Sequence, residues 1–286
     1  MTNNEKRLLC PLCGEQKILK IRCYYNGEQK LFKCFSCGMI FSVSLFDERR
    51  PVQYEKFYQE YSLEEQVEIQ HKEHEWNSRW HTYYDYIITR IVAKHGIDIV
   101  LLDIGCGPGN FLDRVAAYGI RQRVGIDPQK PVIAFNRERG LHHCIEGYYS
   151  REKFAPQSFD IIYHNHVLEH IANPIIFLKD NYYHLISGGT LVVSVPSVRS
   201  PEFLVQVLSN NRLCRTGPLN PQHLVYFGPT TLVRSLQQAG FVKIHIQTGL
   251  WVYKRPKLRW LWRISVDKLF NFLKIGTILV FAEKSA

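Results

Sequence analysis

From position 98 onward the chain alternates short apolar runs with segments of helix length. Strands are predicted near 99–104, 122–126, 142–146, 159–163, 189–195, 241–247 and 277–283. Apolar runs separated in this way mark a mostly parallel sheet with crossover helices, so the fold class is α/β. Ser187-Gly188-Gly189 reads as a turn that closes a helix just before the fifth run. Residues 47–95 contain no Gly, are rich in Glu, Gln and aromatics, and read as helical. Within them Trp76, Trp80, Tyr83, Tyr84, Ile87, Ile88 and Ile91 recur three and four apart, which makes one apolar face. Residues 1–46 hold only short β-like runs, such as Leu31-Phe32 and Met39-Ile40-Phe41. The pattern therefore divides the chain into 1–46, 47–95 and 96–286.

Composition adds bounds. A chain of 286 residues, 45% hydrophobic and 22% charged, suits one α/β domain with a small accessory module. The polar start Met1 to Arg7 is followed by no apolar run of signal-peptide type, and no stretch of about 18 apolar residues could span a membrane. The expected location is cytoplasmic. A net charge of +10, from 36 Lys+Arg against 26 Asp+Glu, suits an anionic partner without choosing one.

Cysteine spacing is the first chemical signal. Cys10-Pro-Leu-Cys13-Gly14 and Cys34-Phe-Ser-Cys37-Gly38 are two knuckles separated by 20 residues. Each turn aims two thiolates at one ion, and two turns make a closed tetrahedral S₄ site that favours structural zinc. About 45 residues are too few to be held by an apolar core alone, so the metal should fold this ribbon. Its role is read as structural, the alternative being substrate contact through Lys17, Lys20, Arg22, Lys30 and Lys33. Cys23 is not needed as a ligand, and with Cys106, Cys144 and Cys214 it is expected to be a free thiol.

The second signal is the loop Leu102-Asp103-Ile104-Gly105-Cys106-Gly107-Pro108-Gly109, set between an apolar strand and a helix. Glycine at alternate positions lets the backbone pass beneath a cofactor. The spacing D-x-G-x-G-x-G differs from the G-x-G-x-x-G of dinucleotide enzymes. Val124-Gly125-Ile126-Asp127 follows, with an acid at the end of the next strand that can accept hydrogen bonds from both ribose hydroxyls. On this geometry alone a dehydrogenase remains the alternative.

With these motifs in hand, roughly residues 75–284 resemble the class I S-adenosylmethionine (SAM)-dependent methyltransferases, in the branch that includes the ubiquinone-pathway O-methyltransferases. Further motifs carry the likeness: Ser158-Phe159-Asp160-Ile161-Ile162 leading into Val167-Leu168-Glu169-His170-Ile171-Ala172-Asn173-Pro174, then Leu185-Ile186-Ser187-Gly188-Gly189-Thr190-Leu191, then Pro221-Gln222-His223-Leu224-Val225-Tyr226-Phe227. The resemblance implies a Rossmann-like sheet of seven strands in order 3-2-1-4-5-7-6, the last antiparallel, with SAM above strands one, two and four. It implies cofactor contacts from Asp103, Gly105, Gly107, Gly109 and Asp127, and from Asn165 at the methionine end. Many relatives carry an acid after strand three that meets the adenine amino group. Here the neighbourhood reads Glu146-Gly147-Tyr148-Tyr149, which leaves that role unassigned. The ribbon is absent from most relatives, although some sugar C-methyltransferases and one group of ribosomal RNA methyltransferases have an N-terminal zinc site.

The catalytic candidates are His166, Glu169, His170 and His223. The i, i+3, i+4 spacing of the first three would put them on one helical face. In the resembled ubiquinone-pathway and small-RNA 2′-O-methyltransferases, acid and histidine side chains here hold a divalent metal, and His223 is placed to join them. His166 stands where those relatives carry an acid, which suits either a softer metal site or a metal-free general base.

Two basic-aromatic stretches frame the substrate question. Residues 197–222 are expected to shape a pocket or to form a surface excursion. Residues 254–275, with Lys254, Arg255, Lys257, Arg259 and Arg263 near Trp260 and Trp262, fit a peripheral lipid surface, an RNA rim or a packed crossover helix. The expected function is SAM-dependent O-methylation of a small molecule, glycan or lipid-linked intermediate. The alternatives are RNA methylation, or a ribbon-led nucleic-acid-binding protein with an inactive methyltransferase domain.

Overall fold

The structure is a computed structural model that describes residues 9–21, 31–42, 63–77, 80–200, 203, 222–249 and 277–285. The expectations for Arg22, Cys23, Lys30, Cys214, most of 197–222 and all of 254–275 lie outside the described residues, as do the side chains of Lys20 and Trp76. Two compact units are present, each built from separated stretches of chain.

The elements run β1 (Ile18–Ile21), β2 (Leu31–Cys34), β3 (Ile40–Ser42), α1 (Leu63–Asn77), α2 (His81–His95), β4 (Val100–Ile104), α3 (Asn110–Ala117), β5 (Gln122–Asp127), α4 (Lys130–Glu138), β6 (Cys144–Glu146) and β7 (Phe159–Asn165). A single 3₁₀ turn (Leu168–His170) follows, then α5 (Pro174–His184), β8 (Leu185–Val195), β9 (Val225–Tyr226), α6 (Pro229–Gln238), β10 (Val242–Gly249) and β11 (Thr277–Glu283).

The seven-stranded sheet has the order β10-β11-β8-β7-β4-β5-β6. Numbered along its own sequence, that is 3-2-1-4-5-7-6, the order implied by the resemblance. β4 lies parallel to both β5 and β7, and β5 parallel to β6. The central strands carry apolar residues on both faces because helices cover both: Leu101, Leu102, Ile161 and Ile162 are wholly buried.

In the unit that holds β4 to β7, the apolar stripe of α2 behaves as its spacing predicts. Tyr83, Tyr84, Ile87, Ile88 and Ile91 are all buried. Arg114 makes a two-pronged ion pair with Asp85, through Nε at 2.6 Å and Nη2 at 3.0 Å. This ties α3 to α2.

The fifth core strand starts earlier than its sequence suggests. Ser187, Gly188 and Gly189 lie inside β8, which begins at Leu185. A Cβ on Gly189 would stand 3.0 Å from the carbonyl oxygen of Asp160 in β7 and 2.9 Å from that of Ile186. The glycine pair thus marks a close backbone approach within the sheet, where a turn was expected.

The other unit contains the ribbon. Here β1 pairs antiparallel with β2, and β2 with β3. A fourth strand, β9, pairs antiparallel with β3 through Ile40↔Tyr226 and Phe41↔Val225, giving the order β1-β2-β3-β9. Leu31, Ile40, Phe203 and Tyr226 make the apolar cluster over this sheet. The sequence gives no sign of this sharing, since β9 is only two residues long and lies 183 positions beyond the last residue of β3 (225 − 42).

Candidate functional site

The glycine loop turns directly from β4 into α3. Gly105, Gly107 and Gly109 all have left-handed backbone, with φ of 70, 49 and 79. The loop is anchored from below: the amides of Gly105 and Cys106 donate to the Ile126 carbonyl at 2.8 and 3.2 Å. Asn136 Nδ2 donates to the Gly107 carbonyl at 2.9 Å. At Gly109 an added Cβ would lie 2.5 Å from Leu141 Cδ1, whereas at Gly107 it would meet nothing within 4 Å. The two glycines therefore serve different purposes. Gly109 is required by packing inside the protein, while Gly107 faces open space.

Asp127 ends β5 and is only 5% exposed. Its Oδ2 accepts the Gly107 amide at 3.1 Å and its Oδ1 the Gln129 amide at 2.9 Å. The acid expected to take ribose hydroxyls thus also holds the loop in shape. Asp103 is buried, and desolvation, followed by the nearby Cys144 and Asp127, pushes its carboxyl well above the usual range. Asn165 is the last residue of β7 and is half-buried. Of the unassigned adenine-side candidates, Glu146 and Tyr148 are exposed. Tyr149 is instead hydrogen-bonded to His184 Nδ1 at 2.7 Å.

In the ribbon unit, the residues after β7 do not form the predicted helix face. His166 has φ of 56, and only Leu168–His170 make a 3₁₀ turn. A three-residue turn cannot place i, i+3 and i+4 on a common α-helical face. The side chains nonetheless converge on Glu169. Its Oε1 accepts from His166 Nδ1 at 3.0 Å and lies 3.9 Å from His223 Nε2. His170 Nδ1 is 3.1 Å from the Gln222 carbonyl, so that nitrogen carries the proton and donates. The His170 and His223 rings meet edge to face with centroids 4.8 Å apart.

Glu169 is wholly inside, and its Oε2 has no hydrogen-bond partner among the described residues. Burial alone would raise the carboxyl. The hydrogen bond from His166 and the charges of His166, His170 and His223 outweigh it and hold the group at about 2. Glu169, His170 and His223 each present a ligand atom within 4.8 Å of the others, a donor set of one carboxylate and two imidazoles that fits a divalent ion.

The four predicted cysteines also converge, with all four sulfurs within 4.8 Å of one another. Cys10 and Cys37 Sγ are 3.4 Å apart, and Cys13 and Cys34 Sγ 3.5 Å. Zinc–sulfur bonds of about 2.3 Å in a tetrahedron require about 3.8 Å between sulfurs, so the cluster is slightly tighter than a filled site. The knuckle turns close through Gly14 N–H to Cys10 O at 2.9 Å and Gly38 N–H to Cys34 O at 3.0 Å. Burial, ahead of the hydrogen bonds around it, pushes the Cys10 thiol up to about 11.

With the fold and these sites described, comparison with known proteins is direct. The fold and the glycine loop define a class I methyltransferase. A family model described as a methyltransferase domain matches residues 56–246, and the chain belongs to that family. A tRNA U34 carboxymethyltransferase from Pseudoalteromonas translucida is 29% identical over 182 residues, 60% of this chain and 52% of that protein. One from Enterobacter sp. is 26% identical over 209 residues, 70% of this chain and 60% of that protein. The chain thus spans little more than half the length of these curated relatives. A SAM-dependent methyltransferase from Thermotoga maritima, described as a possible histamine N-methyltransferase, aligns with a TM-score of 0.52 at 19% identity. That alignment covers 77% of this chain and 99% of the other, and it shows the shared fold. The chain thus carries a methyltransferase domain by family and the methyltransferase fold by structure. Among the described residues no helix is long and apolar enough to cross a membrane.

Proposed function

We propose that the protein transfers the SAM methyl group to a hydroxyl oxygen, with RNA as the acceptor class. The observation that carries the oxygen assignment is Glu169, a buried carboxylate hydrogen-bonded to His166 Nδ1 and ringed by His170 and His223. A buried acid on one imidazole nitrogen fixes the tautomer and leaves the other as a base, the logic of acid–histidine pairs in hydrolases. His166 is 42% exposed, so its Nε2 is open to an incoming acceptor. Its left-handed backbone is of the uncommon kind that gathers at functional positions. It also directly follows Asn165, the expected contact at the methionine end of SAM.

The sulfonium is already activated, so the main task is to align acceptor oxygen, methyl carbon and leaving sulfur. The acceptor O–H proton passes to His166 Nε2 as the new C–O bond forms and the C–S bond breaks. The products are a methyl ether and S-adenosylhomocysteine. Glu169, His170 and His223 would hold a divalent ion, whose chemistry when bound is to lower the pKa of a hydroxyl. Its fit rests on the unpartnered Oε2 of Glu169 and on the donor set. Asp103, Gly105, Gly107, Gly109, Asp127 and Asn165 are proposed to hold SAM. Cys10, Cys13, Cys34 and Cys37 are proposed to hold structural zinc.

RNA is preferred over the small-molecule, glycan or lipid-linked acceptors expected from sequence because the relatives are named for a tRNA uridine. The test is incubation with tritiated-methyl SAM and total RNA beside a metabolite extract. Label in a methylated nucleoside released from RNA supports the proposal, and label only in the metabolite fraction overturns the acceptor class.

A further inference from the structure

The β1–β2 ladder of the ribbon has one face that its own sheet does not cover. Side chains alternate across the ladder, so Lys17 and Leu19 share a face with Lys33 and Phe35. The register confirms it: Leu19 lies opposite Lys33, and the Phe35 amide donates to the Lys17 carbonyl at 3.1 Å. At one end this face is closed by a buried cluster in which Phe203 joins Leu31, Ile40 and Tyr226 of the sheet. At the other end it is open. Phe35 is 66% exposed and Leu19 48%, and both lysines are exposed.

A large aromatic and an aliphatic side chain left in water beside two cations are not explained by the ribbon's packing. The zinc knuckles lie under the opposite face, where Cys34 is buried. Within the described ribbon, residues 9–21 and 31–42, the acid is Glu15, against Lys17, Lys20 and Lys33. The Glu15 carboxylate is occupied within the ribbon: Oε1 accepts the amides of Gln16 and Lys17 at 2.7 and 3.0 Å, and Oε2 accepts from Ser36 Oγ at 3.2 Å. Its charge acts on Lys17 and leaves Lys33 as the cation it does not reach.

An exposed aromatic flanked by cations matches the requirements of a single strand: the aromatic stacks a base and the cations meet phosphates.

We infer that the Lys17–Leu19–Lys33–Phe35 face binds single-stranded RNA. This deepens the proposed function and rests on its choice of RNA as acceptor. The ribbon is then a substrate-holding surface as well as a structural one.

The experiment is fluorescence anisotropy of the full-length zinc-loaded protein with a labelled single-stranded 12-mer RNA. A duplex of the same length and phosphatidylserine vesicles serve as competitors. The wild type should bind the single strand in preference to both. Phe35→Ala should weaken binding roughly fivefold to a hundredfold, and Phe35→Tyr should retain it. Lys17→Gln with Lys33→Gln should reduce the slope of log affinity against log salt by about 1.4, at 0.7 per phosphate contact. Zinc content and SAM affinity should stay at wild-type values in all three. No binding by the wild type, preference for vesicles, or unchanged binding in Phe35→Ala would overturn the inference. Loss of zinc from the lysine variants would do so too, since it would make those residues supports of the metal centre. RNA bound through Phe35 but never methylated defeats the acceptor assignment alone. RNA methylated with an unchanged KM by Phe35→Ala defeats this inference alone.

Discussion

The Ser42 amide N–H donates to the Leu224 carbonyl at 2.8 Å, and the Leu224 amide N–H donates to the Glu169 carbonyl at 2.8 Å. Leu224 therefore connects the last residue of the ribbon's β3 to the residue at the centre of the histidine cluster. His223 precedes it in the chain, so the direction of that imidazole depends on a backbone held by the ribbon sheet.

Removing the metal should therefore be felt at the cluster and not at the cofactor. Zinc-stripped protein, or Cys37→Ser, is expected to lose tenfold or more in methyl transfer while SAM affinity stays within about twofold. Metal analysis, calorimetric SAM titration and a turnover assay on one preparation make the check. Equal loss of SAM binding would show that the ribbon supports the whole chain.

The glycine loop predicts a contrast between two single substitutions. Gly109→Ala sets a Cβ 2.5 Å from Leu141 Cδ1 at φ of 79 and should cost about 2–4 kcal/mol of stability. Gly107→Ala meets open space at φ of 49 and should cost only about 1 kcal/mol. SAM affinity in Gly107→Ala should nonetheless fall at least thirtyfold, because the proposed path of the cofactor crosses that open space. Denaturant melts beside SAM titrations separate the two effects. Native SAM affinity in Gly107→Ala would show that the cofactor does not pass there.

How much of this was legible in the sequence follows from the range of the signals. The strand positions, the glycine loop and the four thiols are local patterns, and each survives into the structure, whereas the strand order came with the family resemblance. Tyr83 to Ile91 read correctly as a helix face because their spacing extends over more than two turns. The face does not continue back to Trp76, which lies in α1, and Trp80 only caps α2. Three residues such as Leu168 to His170 cannot distinguish a 3₁₀ turn from the start of an α-helix, and nothing local announces a left-handed His166. The pairing of β9 with β3 was invisible because two residues carry no period. Gly188-Gly189 was misread because a turn and a close strand approach both require glycine.

A pH effect should come from His95. Burial first, and then the Lys94 ammonium, push its imidazole below the ordinary 6.5. In the fold its Nε2 lies 2.8 Å from Thr190 Oγ1. A base whose folded value is depressed takes up its proton more readily when unfolded. Its contribution is thus complete above pH 6.5 and is lost as pH falls from there towards the folded value. His95→Gln should flatten the decline in melting temperature between pH 6.5 and pH 5 relative to wild type. An unchanged decline would remove His95 from the account.

The central claim is that Glu169 and its histidines activate the acceptor. The most direct measurement is single-turnover methyl transfer from SAM to total RNA by Glu169→Gln, read beside wild type at saturating SAM. The account predicts SAM affinity within about twofold of wild type and a rate reduced by about 10² or more, the usual scale for losing general-base action. Wild-type turnover by Glu169→Gln would contradict it.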